Sequence, residues 1–311
     1  MKTFIALVRR EYWESSAFWI VPGVFGLLLI AGSLFGLFSL WQHGVHADEL
    51  RYGLDQLGDL AVDERRELLK IALLSLAAPF NVFLVGVTFF YALDSLYADR
   101  RDRSVLFWKS LPVSDVKTVM SKLAMALVGG PALAFAVVAA FQLVALLMAT
   151  GVMLWSGTDG WYYALDPVAV LGAWGLFAWA LVAQSLVYLP IVAWLMLASA
   201  WAKKAPFLWA VVPPLFVLIV EGWIRRFDGD TVLGTWLAER VSNALPLSFN
   251  VRDGDEFGVH IGSHDGRLIA DGGIDVNFEL LWSGLVWEGV AIAAVLLAGT
   301  IWLRRYRADA E

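Results

Sequence analysis

Long apolar stretches alternate with short polar segments along the whole chain. A helix that crosses a bilayer needs about 20 mostly apolar residues. Six stretches reach that length and predict six transmembrane helices, at 18–40, 71–93, 123–150, 168–200, 205–221 and 283–303. The fourth stretch is longer than a span needs and contains Pro190, which predicts a kink or a tail at the interface. The fifth contains Pro213 and Pro214, which predict a broken or distorted helix whose freed carbonyls find partners on neighbouring helices.

The pattern as a whole predicts an all-α polytopic membrane protein with a small mixed region of helix and short strands. The predicted parts are an amphipathic elbow helix at 1–17, spans one to five at 18–221 with loops at 41–70 and 94–122, a polar region at 222–282, and span six with a tail at 283–311. Asp-Gly dipeptides in the polar region predict turns between short strands. Asp63 is predicted to cap a helix that leads into the second span.

Positive charge indicates how the spans are oriented. The six spans divide the connecting segments between two sides of the membrane. Lys and Arg are about three times denser in the segments on the side that holds the N-terminus than in those on the opposite side. Basic clusters such as Arg9-Arg10 and Arg304-Arg305 adjoin the span ends. Both termini are therefore predicted to be cytoplasmic, in the bacterial inner membrane. Residues 41–70 and 222–282 are predicted to be periplasmic.

Composition removes several function classes. Hydrophobic residues make up 59% of the 311 residues and charged residues 17%, whereas soluble domains average about 45–50% and about 25%. With a mean hydropathy of +0.68, this excludes a soluble enzyme, a disordered chain and a nucleic-acid binder. The net charge of −6 offers no basic face to phosphates, and the absence of cysteine excludes disulfides and thiolate metal sites.

Sequence motifs for bound nucleotide or hydrolytic chemistry are missing. The chain contains no G-x-x-x-x-G-K-[ST] phosphate loop, no H-E-x-x-H and no G-x-S-x-G, and no predicted span contains histidine. We therefore expect no catalytic residue and no cofactor in this chain. Any energy for transport is expected to come from a separate motor protein.

The loop at 94–122 carries the most informative local signals. Ser104 is predicted to cap a helix of about two turns that Pro112 ends, and Ser114 to cap the helix that enters the third span, with Asp115 in its first turn. A helix this short is unstable alone and needs a partner surface. Phe107 and Trp108 between basic residues are typical of an interface, although interfacial aromatics that anchor a loop at the lipid headgroups have the same composition.

In these features the chain resembles the membrane (permease) subunit of type-2 ATP-binding-cassette (ABC) exporters. The elbow of that family corresponds to the helix with Arg9, Arg10 and Trp13. Its coupling helix, between the second and third spans, corresponds to 104–111, and the family's Pro-Val-Ser corresponds to 112–114. Lys122 matches a Lys that often begins the third span in the family. The residues that the resemblance assigns to ATPase coupling are Arg103, Ser104, Val105, Leu106, Phe107, Trp108, Lys109, Leu111 and Pro112.

The resemblance implies a specific assembly. Two permeases, as a homodimer or a heterodimer, would sit on two separate ATPase subunits that bind ATP and Mg²⁺. The complex would export a hydrophobic or amphipathic substrate across or out of the membrane. The alternative is a receptor or scaffold that transports nothing and whose periplasmic region binds a ligand or partner.

Polar residues in or near the spans are weaker candidates for a substrate path or gate. They are Asn81, Gln142, Gln184, Glu221 and Glu288. Polar side chains in spans more often bond a neighbouring helix, so packing is the favoured interpretation for the amides and solvation at the membrane rim for the two glutamates.

Two further patterns have weak support. Gly32 and Gly36 form a G-x-x-x-G motif, for which packing inside the chain is favoured over a dimer contact. The histidine pairs His43/His46 and His260/His264 lie in predicted outer loops with nearby carboxylates. These pairs are low-probability ligands for Zn²⁺ or Cu²⁺, since nothing in the sequence brings the two loops together.

Overall fold

The computed structural model describes residues 2–42, 60–102, 114–157, 159, 164–225, 231–242, 247–251, 261–264, 267–270, 272–276 and 278–307. The helices in this part of the chain are α1 (Lys2–Glu14), α2 (Ala17–Gln42), α3 (Val62–Arg101), α4 (Asp115–Trp155), α5 (Pro167–Trp201), α6 (Pro206–Ile224), α7 (Leu233–Ser242) and α8 (Gly284–Arg307). A 3₁₀ turn at Phe278–Trp282 precedes α8.

Six of these helices, α2 to α6 and α8, are long and apolar enough to cross a membrane. The prediction of six helical spans is therefore confirmed. Helices α3 and α4 extend well beyond the apolar stretches, since their polar ends continue the same helices. At 40 residues, α3 is about 60 Å long, roughly twice the hydrocarbon thickness of a bilayer.

Four short strands lie between α7 and α8: β1 (Leu247–Val251), β2 (Ile261–His264), β3 (Arg267–Ala270) and β4 (Gly272–Val276). They form two antiparallel pairs, β1 with β4 and β2 with β3. In the first pair Leu247 lies opposite Val276, and in the second Ile261 lies opposite Ala270. The second pair is thus a hairpin nested within the connection between the strands of the first.

Helix α5 lies at the centre of the bundle, between α3 and α8. Helices α3 and α5 run in the same direction, since Asn81 bonds Gln184 and, further along, the Leu96 N–H donates to Ser199 Oγ. The face of α5 that is buried is rich in alanine, which lets neighbouring backbones approach closely. These fully or almost fully buried alanines are Ala169, Ala173, Ala180, Ala183, Ala193, Ala198 and Ala200.

The start of α2 is fixed against α4 by one aromatic ring. Phe18 is 1% exposed, and a Cβ built on Gly130 would overlap its ring. The ring also lies edge-on to Tyr91 of α3, with 5.3 Å between the centroids. Glycine at position 130 therefore creates the space in which the first span meets the second and third.

The apolar side chains that point away from the bundle indicate which helices face lipid. Helix α6 is the extreme case: Ala210 is its only buried residue, while Phe216 and Trp223 are more than 60% exposed. In water such a surface would be unstable, whereas in a bilayer lipid tails cover it.

Helix α6 runs without a break from Pro206 to Ile224, so of the two predicted outcomes, a broken or a distorted helix, the break does not occur. The neighbouring helix does, however, donate a hydrogen bond to a carbonyl that a proline leaves without an N–H partner, as predicted. Pro214 has no N–H to offer to the carbonyl of Ala210, and Trp194 Nε1 of α5 donates to that oxygen at 2.9 Å. Helix α5 also continues through Pro190.

A π-helical segment, Met125–Gly129, interrupts α4 two residues before Pro131. A proline cannot continue the normal hydrogen-bond ladder, and a wider turn accommodates the missing N–H. Gly129 ends this turn, and a Cβ there would lie 2.6 Å from Met125 Sδ, so the Met125 side chain would have to move.

Two predictions about local structure have different outcomes. Ser114 caps α4 as predicted, with Oγ accepting from the Lys117 N–H at 3.4 Å. Asp63 is not a cap, because α3 begins one residue earlier at Val62 and Asp63 lies in its first turn. The carboxylate of Glu64 instead accepts from the Ala61 N–H at 3.2 Å, so the acidic residue three positions into the helix performs the capping.

No close contact among the described residues uses the G-x-x-x-G motif. A Cβ on Gly32 or Gly36 would meet no heavy atom of the described residues within 4 Å. The favoured interpretation of the motif, a contact inside the chain, finds no support among the described residues. Gly36 instead borders an open recess between α2 and α4.

The Trp194–Ala210 bond gives a test of how α6 tolerates its prolines. Trp194→Phe is expected to lower the free energy of unfolding by about 1–2 kcal/mol, since a buried carbonyl loses its donor. In a Pro214→Ala background the same change should cost less, because the alanine introduced there brings a backbone N–H that serves the carbonyl. Chemical unfolding in detergent of both single variants and the double variant measures the coupling, with Trp209→Phe, at a half-exposed position, as the control. Equal costs in both backgrounds would contradict this account.

Candidate functional site

A buried ammonium group lies at the end of the bundle where α1, α3, α4 and α8 meet. Lys122 of α4 is 3% exposed, and its Nζ lies 3.0 Å from Glu11 Oε1 of α1 and 3.5 Å from Asp99 Oδ1 of α3. Both carboxylates are almost fully buried as well. One cation therefore joins three helices.

A second cation extends this contact to the last span. The Nη1 of Arg304 in α8 lies 3.1 Å from Asp99 Oδ2, and its Nε lies 3.0 Å from Asp115 Oδ1 in the first turn of α4. Asp99 is thus shared between Lys122 and Arg304. The five side chains, named here the terminal ion-pair network, are Glu11, Asp99, Asp115, Lys122 and Arg304.

The energetics of this network make it sensitive to the loss of any member. Three carboxylates face two cations, which leaves one negative charge in excess among the five side chains. A buried charge without a partner costs several kcal/mol, so removing one cation destabilises the carboxylates that remain. Tyr91 assists by donating its hydroxyl to Glu11 Oε2 at 2.8 Å.

The N-terminal helix contributes a different residue from those the sequence singled out. Glu11 and Leu7, one turn apart, form its buried side. Arg9 and Trp13 are exposed, and Arg10 pairs with Glu14 at 2.6 Å on the helix surface. The predicted elbow residues therefore lie on the outward side of α1. Glu11, which the prediction did not single out, joins the network.

The residues predicted to couple to an ATPase, Arg103–Pro112, lie outside the described residues. Their two flanks are described. Helix α3 ends at Arg101, just before this segment, and α4 begins at Asp115, just after it. Asp99 and Asp115, one on each flank, bind the same guanidinium of Arg304. The two ends of the described chain that flank residues 103–113 are thus held together by Arg304.

The same end of α3 is also fastened to the end of α5. Arg100 Nη2 donates to the carbonyls of Ser199 at 2.5 Å and Ala202 at 2.8 Å, the latter just beyond the last residue of α5. These carbonyls carry the negative end of the helix dipole, which favours a cation there. Helix α5 is therefore connected to the network through α3.

The opposite ends of α3 and α5 are held by a separate ion pair. Arg66 Nε donates to Asp166 Oδ2 at 2.7 Å, and Asp166 Oδ1 accepts from the N–H groups of Val168 and Ala169 as the cap of α5. Partial burial would raise the pKa of Asp166, but the hydrogen bonds from Arg66 and the two amides outweigh it. The pKa of Asp166 therefore lies below its ordinary value.

Helix α7 is attached to the bundle by a fully buried arginine. Arg240 donates from Nη1 to the Val187 carbonyl at 3.0 Å and from Nη2 to the Leu285 carbonyl at 2.9 Å, linking α7 to α5 and α8. Its guanidinium lies over the Trp236 ring at 4.2 Å. Burial lowers the pKa of Arg240 below its ordinary value. Gly289 permits this approach, because a Cβ there would lie 2.8 Å from Nη1.

The two glutamates proposed as gate residues lie near α7. Glu221, near the end of α6, accepts from the N–H groups of Val232, Leu233 and Gly234 at 2.7–3.1 Å. It therefore caps the start of α7. Glu288 is exposed on α8.

The three amides proposed to line a path all bond neighbouring helices. Asn81 and Gln184 exchange two hydrogen bonds at 2.8 and 3.1 Å. Gln142 of α4 donates to the Leu73 carbonyl at 2.7 Å and accepts from Trp174 Nε1 at 2.8 Å. Each amide connects two or three spans by side-chain hydrogen bonds.

The structure does not describe the side chains of the four histidines proposed as metal ligands. His43, His46 and His260 lie outside the described residues, and His264 is described only by its position in β2. Within the described ranges, no group of three or more His, Asp and Glu side chains is arranged to hold a metal ion.

Sequence reasoning identified none of the five members of the terminal ion-pair network as a site residue, and it missed Arg240 as well. Lys122 was noted only as a family match, and Asp115 only as a first-turn acid. One signal was available: Glu11, Asp99, Lys122 and Arg304 all lie at or near helix ends that the sequence places on the same side of the predicted spans. That pattern alone fits solvated surface charges equally well, so burial had to be seen in the structure.

Comparison with known proteins found no matching family model, no matching curated protein and no matching solved structure.

Arg304 and its neighbour Arg305 offer a matched test of the network. Arg304→Gln is expected to lower the free energy of unfolding in detergent by about 3–5 kcal/mol, because it leaves Asp99 and Asp115 short of a cation. Arg305→Gln, at an exposed position on the same helix, should have little effect. Adding Asp99→Asn to Arg304→Gln should restore part of the loss. Similar losses for the two arginines would contradict a buried network.

The Arg66–Asp166 pair predicts a pH dependence. A carboxyl with a lowered pKa stabilises the folded state above its unfolded pKa of about 3.9 and loses that contribution as pH falls through the lower, folded pKa. Asp166→Asn should therefore reduce the melting temperature in detergent at pH 7. The difference from the unsubstituted chain should shrink steadily as pH is lowered below about 4. A difference that stays constant down to pH 3 would be inconsistent with this ion pair.

Proposed function

We propose that this chain is the permease subunit of an ABC exporter, energised by a separate ATPase that binds ATP and Mg²⁺. One observation carries the proposal. The residues predicted to contact the ATPase, from Arg103 to Pro112, are flanked by Asp99 and Asp115, and a single guanidinium, that of Arg304, binds both.

The transmission of force follows from the contacts of the network. A short helix seated on a moving ATPase would push on the end of α3 and the start of α4. Because Lys122 and Arg304 join those two ends to α1 and α8, the push would reach four helices together. Through Arg100 it would also reach the end of α5. Charge-assisted contacts of this kind have discrete arrangements, which suits a two-state device.

The remaining parts of the proposal follow the resemblance. The chain would span the bacterial inner membrane six times with both termini cytoplasmic, placing the terminal ion-pair network at the cytoplasmic face. A second permease, identical or different, would complete the path. The segment 222–282, with α7 and the two strand pairs, would lie on the periplasmic side. The substrate class would be hydrophobic or amphipathic.

Copurification tests the proposal directly. The tagged chain is expressed with the ATPase encoded beside it, and complex mass and ATP hydrolysis are measured in lipid. We expect two permeases and two ATPases. Phe107→Ala with Trp108→Ala should abolish or strongly reduce ATPase binding and leave the permease folded, since the aromatic anchors of the interface are gone.

A matched control separates this effect from the general loss of aromatic surface. Trp302→Ala with Tyr306→Ala removes two exposed rings from α8, at the same end of the bundle as the network. This pair should leave ATPase binding intact. A permease that never binds the ATPase would remove the exporter proposal and favour a receptor or scaffold. Binding that survives loss of Phe107 and Trp108 would show that the coupling segment has been misplaced.

A further inference from the structure

Helix α7 contains no buried apolar residue. Of its ten residues, Leu233–Ser242, Arg240 alone is buried. Val241, next to it in sequence, is 64% exposed, and Val232, just before the helix, is 74% exposed. The spans, by contrast, have buried apolar faces that pack against one another. Polar contacts therefore have to hold α7 in place.

Those polar contacts lie at the two ends of α7 and differ in kind. At the start, the Glu221 carboxylate of α6 accepts from three consecutive backbone N–H groups. Near the end, Arg240 donates to the carbonyls of Val187 in α5 and Leu285 in α8, which are 53 and 45 residues away in sequence. The first contact joins α7 to the helix that precedes it, which suits a hinge. The second joins α7 to distant helices, which suits a latch.

The contact at Arg240 is weaker than the buried ion pairs at the other end of the bundle. Lys122 and Arg304 each pair with two carboxylates. Arg240 bonds two neutral carbonyls instead, and no carboxylate of the described residues lies within salt-bridge distance of it. Its Nε is buried without a partner in the described chain. Because a buried cation is costly when no anion neutralises it, the charge that this contact buries opposes the attached position of α7.

The attached end of α7 lies deep within the bundle. Val241 lines a recess whose other walls belong to α3, α4 and α5, with Leu84 and Thr88 on the α3 side. At a rise of 1.5 Å per residue, these two residues are about 20 and 26 Å along α3 from Ile71, where the apolar stretch begins, and about 14 and 8 Å from Leu93, where it ends. The end of α7 is therefore level with the interior of an apolar span. Among the described residues, it forms the part of the recess wall that no span provides.

We propose that α7 is a lid on this recess, hinged at Glu221 and latched by Arg240. When the guanidinium leaves the carbonyls of Val187 and Leu285, the end of α7 moves toward the membrane surface and the recess opens beside it. Opening restores water to the charge, and closing restores its two hydrogen bonds. Opposed terms of this kind keep the two positions close in free energy, as a moving lid requires. The lid lies within one copy of the chain and needs no ATPase, so it is independent of the proposed export function.

Pulsed electron paramagnetic resonance on the full chain in lipid nanodiscs tests the lid. The chain has no cysteine, so two introduced cysteines carry the only spin labels. The pair Ser242→Cys with Val116→Cys reports the latched end of α7, measured from the first turn of α4. The pair Val232→Cys with Val116→Cys reports the hinged end. All three positions are exposed. We expect one dominant distance for each pair in the chain that carries no other substitution.

Arg240→Lys keeps the charge of the latch but cannot bridge two carbonyls. In the Ser242 pair it should add a second, longer distance and raise the population at that distance about fivefold, the factor that corresponds to the loss of one hydrogen bond. The Val232 pair should stay unchanged, because the hinge is intact. Arg225→Lys, the same substitution at an exposed arginine just after α6, is the control and should change neither pair.

Gly289→Leu tests the latch with Arg240 itself unchanged. A Cβ at position 289 already lies 2.8 Å from Arg240 Nη1, so a leucine side chain displaces the guanidinium and should produce the same longer distance in the Ser242 pair. Gly284→Leu on the same helix is the control, because a Cβ there meets only Glu288 Oε1, at 3.9 Å.

Three results would overturn the proposal. One is an Arg240→Lys chain that elutes as a folded, monodisperse protein and keeps the distances of the unsubstituted chain. Another is equal displacement of the labels at 242 and 232, because α7 would then detach as a whole and have no hinge. The third is a distance distribution for Gly289→Leu that matches that of Gly284→Leu. If one variant does not fold, the other decides alone. Failure of the chain to bind an ATPase would bear on none of these results.

Discussion

The pairing of the buried Lys122 ammonium with Glu11 and Asp99 is the interaction on which the arrangement of the helices depends. In a bilayer, apolar side chains gain little by leaving lipid for protein, so apolar contact alone does not fix how one span sits against another. A buried cation does fix that position, because it is stable only next to the carboxylates that pair with it. Since those carboxylates belong to α1 and α3, and Arg304 of α8 binds Asp99 in turn, one charge requirement sets the relative positions of four helices.

The architecture could largely be predicted because bilayer thickness acts on local sequence. Six apolar stretches had to be six helices, and the Ser114 cap depends on residues only three positions apart. What could not be predicted depends on partners distant in sequence. The continuity of α6 through Pro213 and Pro214 was missed, although the donation from a neighbouring helix was anticipated. The donor, Trp194, cannot be identified until α5 and α6 are known to lie side by side.

The site shows the same division more sharply. Asp99, Lys122 and Arg304 each lie near a helix end, where a charge is normally solvated. Their burial results from the convergence of helices from both ends of the chain, and no local pattern records that. The G-x-x-x-G motif is the opposite case. The pattern is associated with close helix contact, yet no described residue would touch a Cβ built on either glycine. The residues predicted to touch an ATPase fall outside the described part of the chain, so their role stays a prediction that rests on the flanking contacts.

The order in which the network's members are synthesised has a consequence for biogenesis. Glu11, Asp99, Asp115 and Lys122 all precede residue 123, whereas Arg304 lies in the last helix. A nascent chain that has reached only its fifth span therefore holds three carboxylates and one ammonium of this cluster, an excess of two negative charges among its members. Arrival of the final helix supplies the missing cation. The cluster is therefore assembled only once α8 is in place, and a chain truncated before α8 would leave two excess negative charges among its members instead of one.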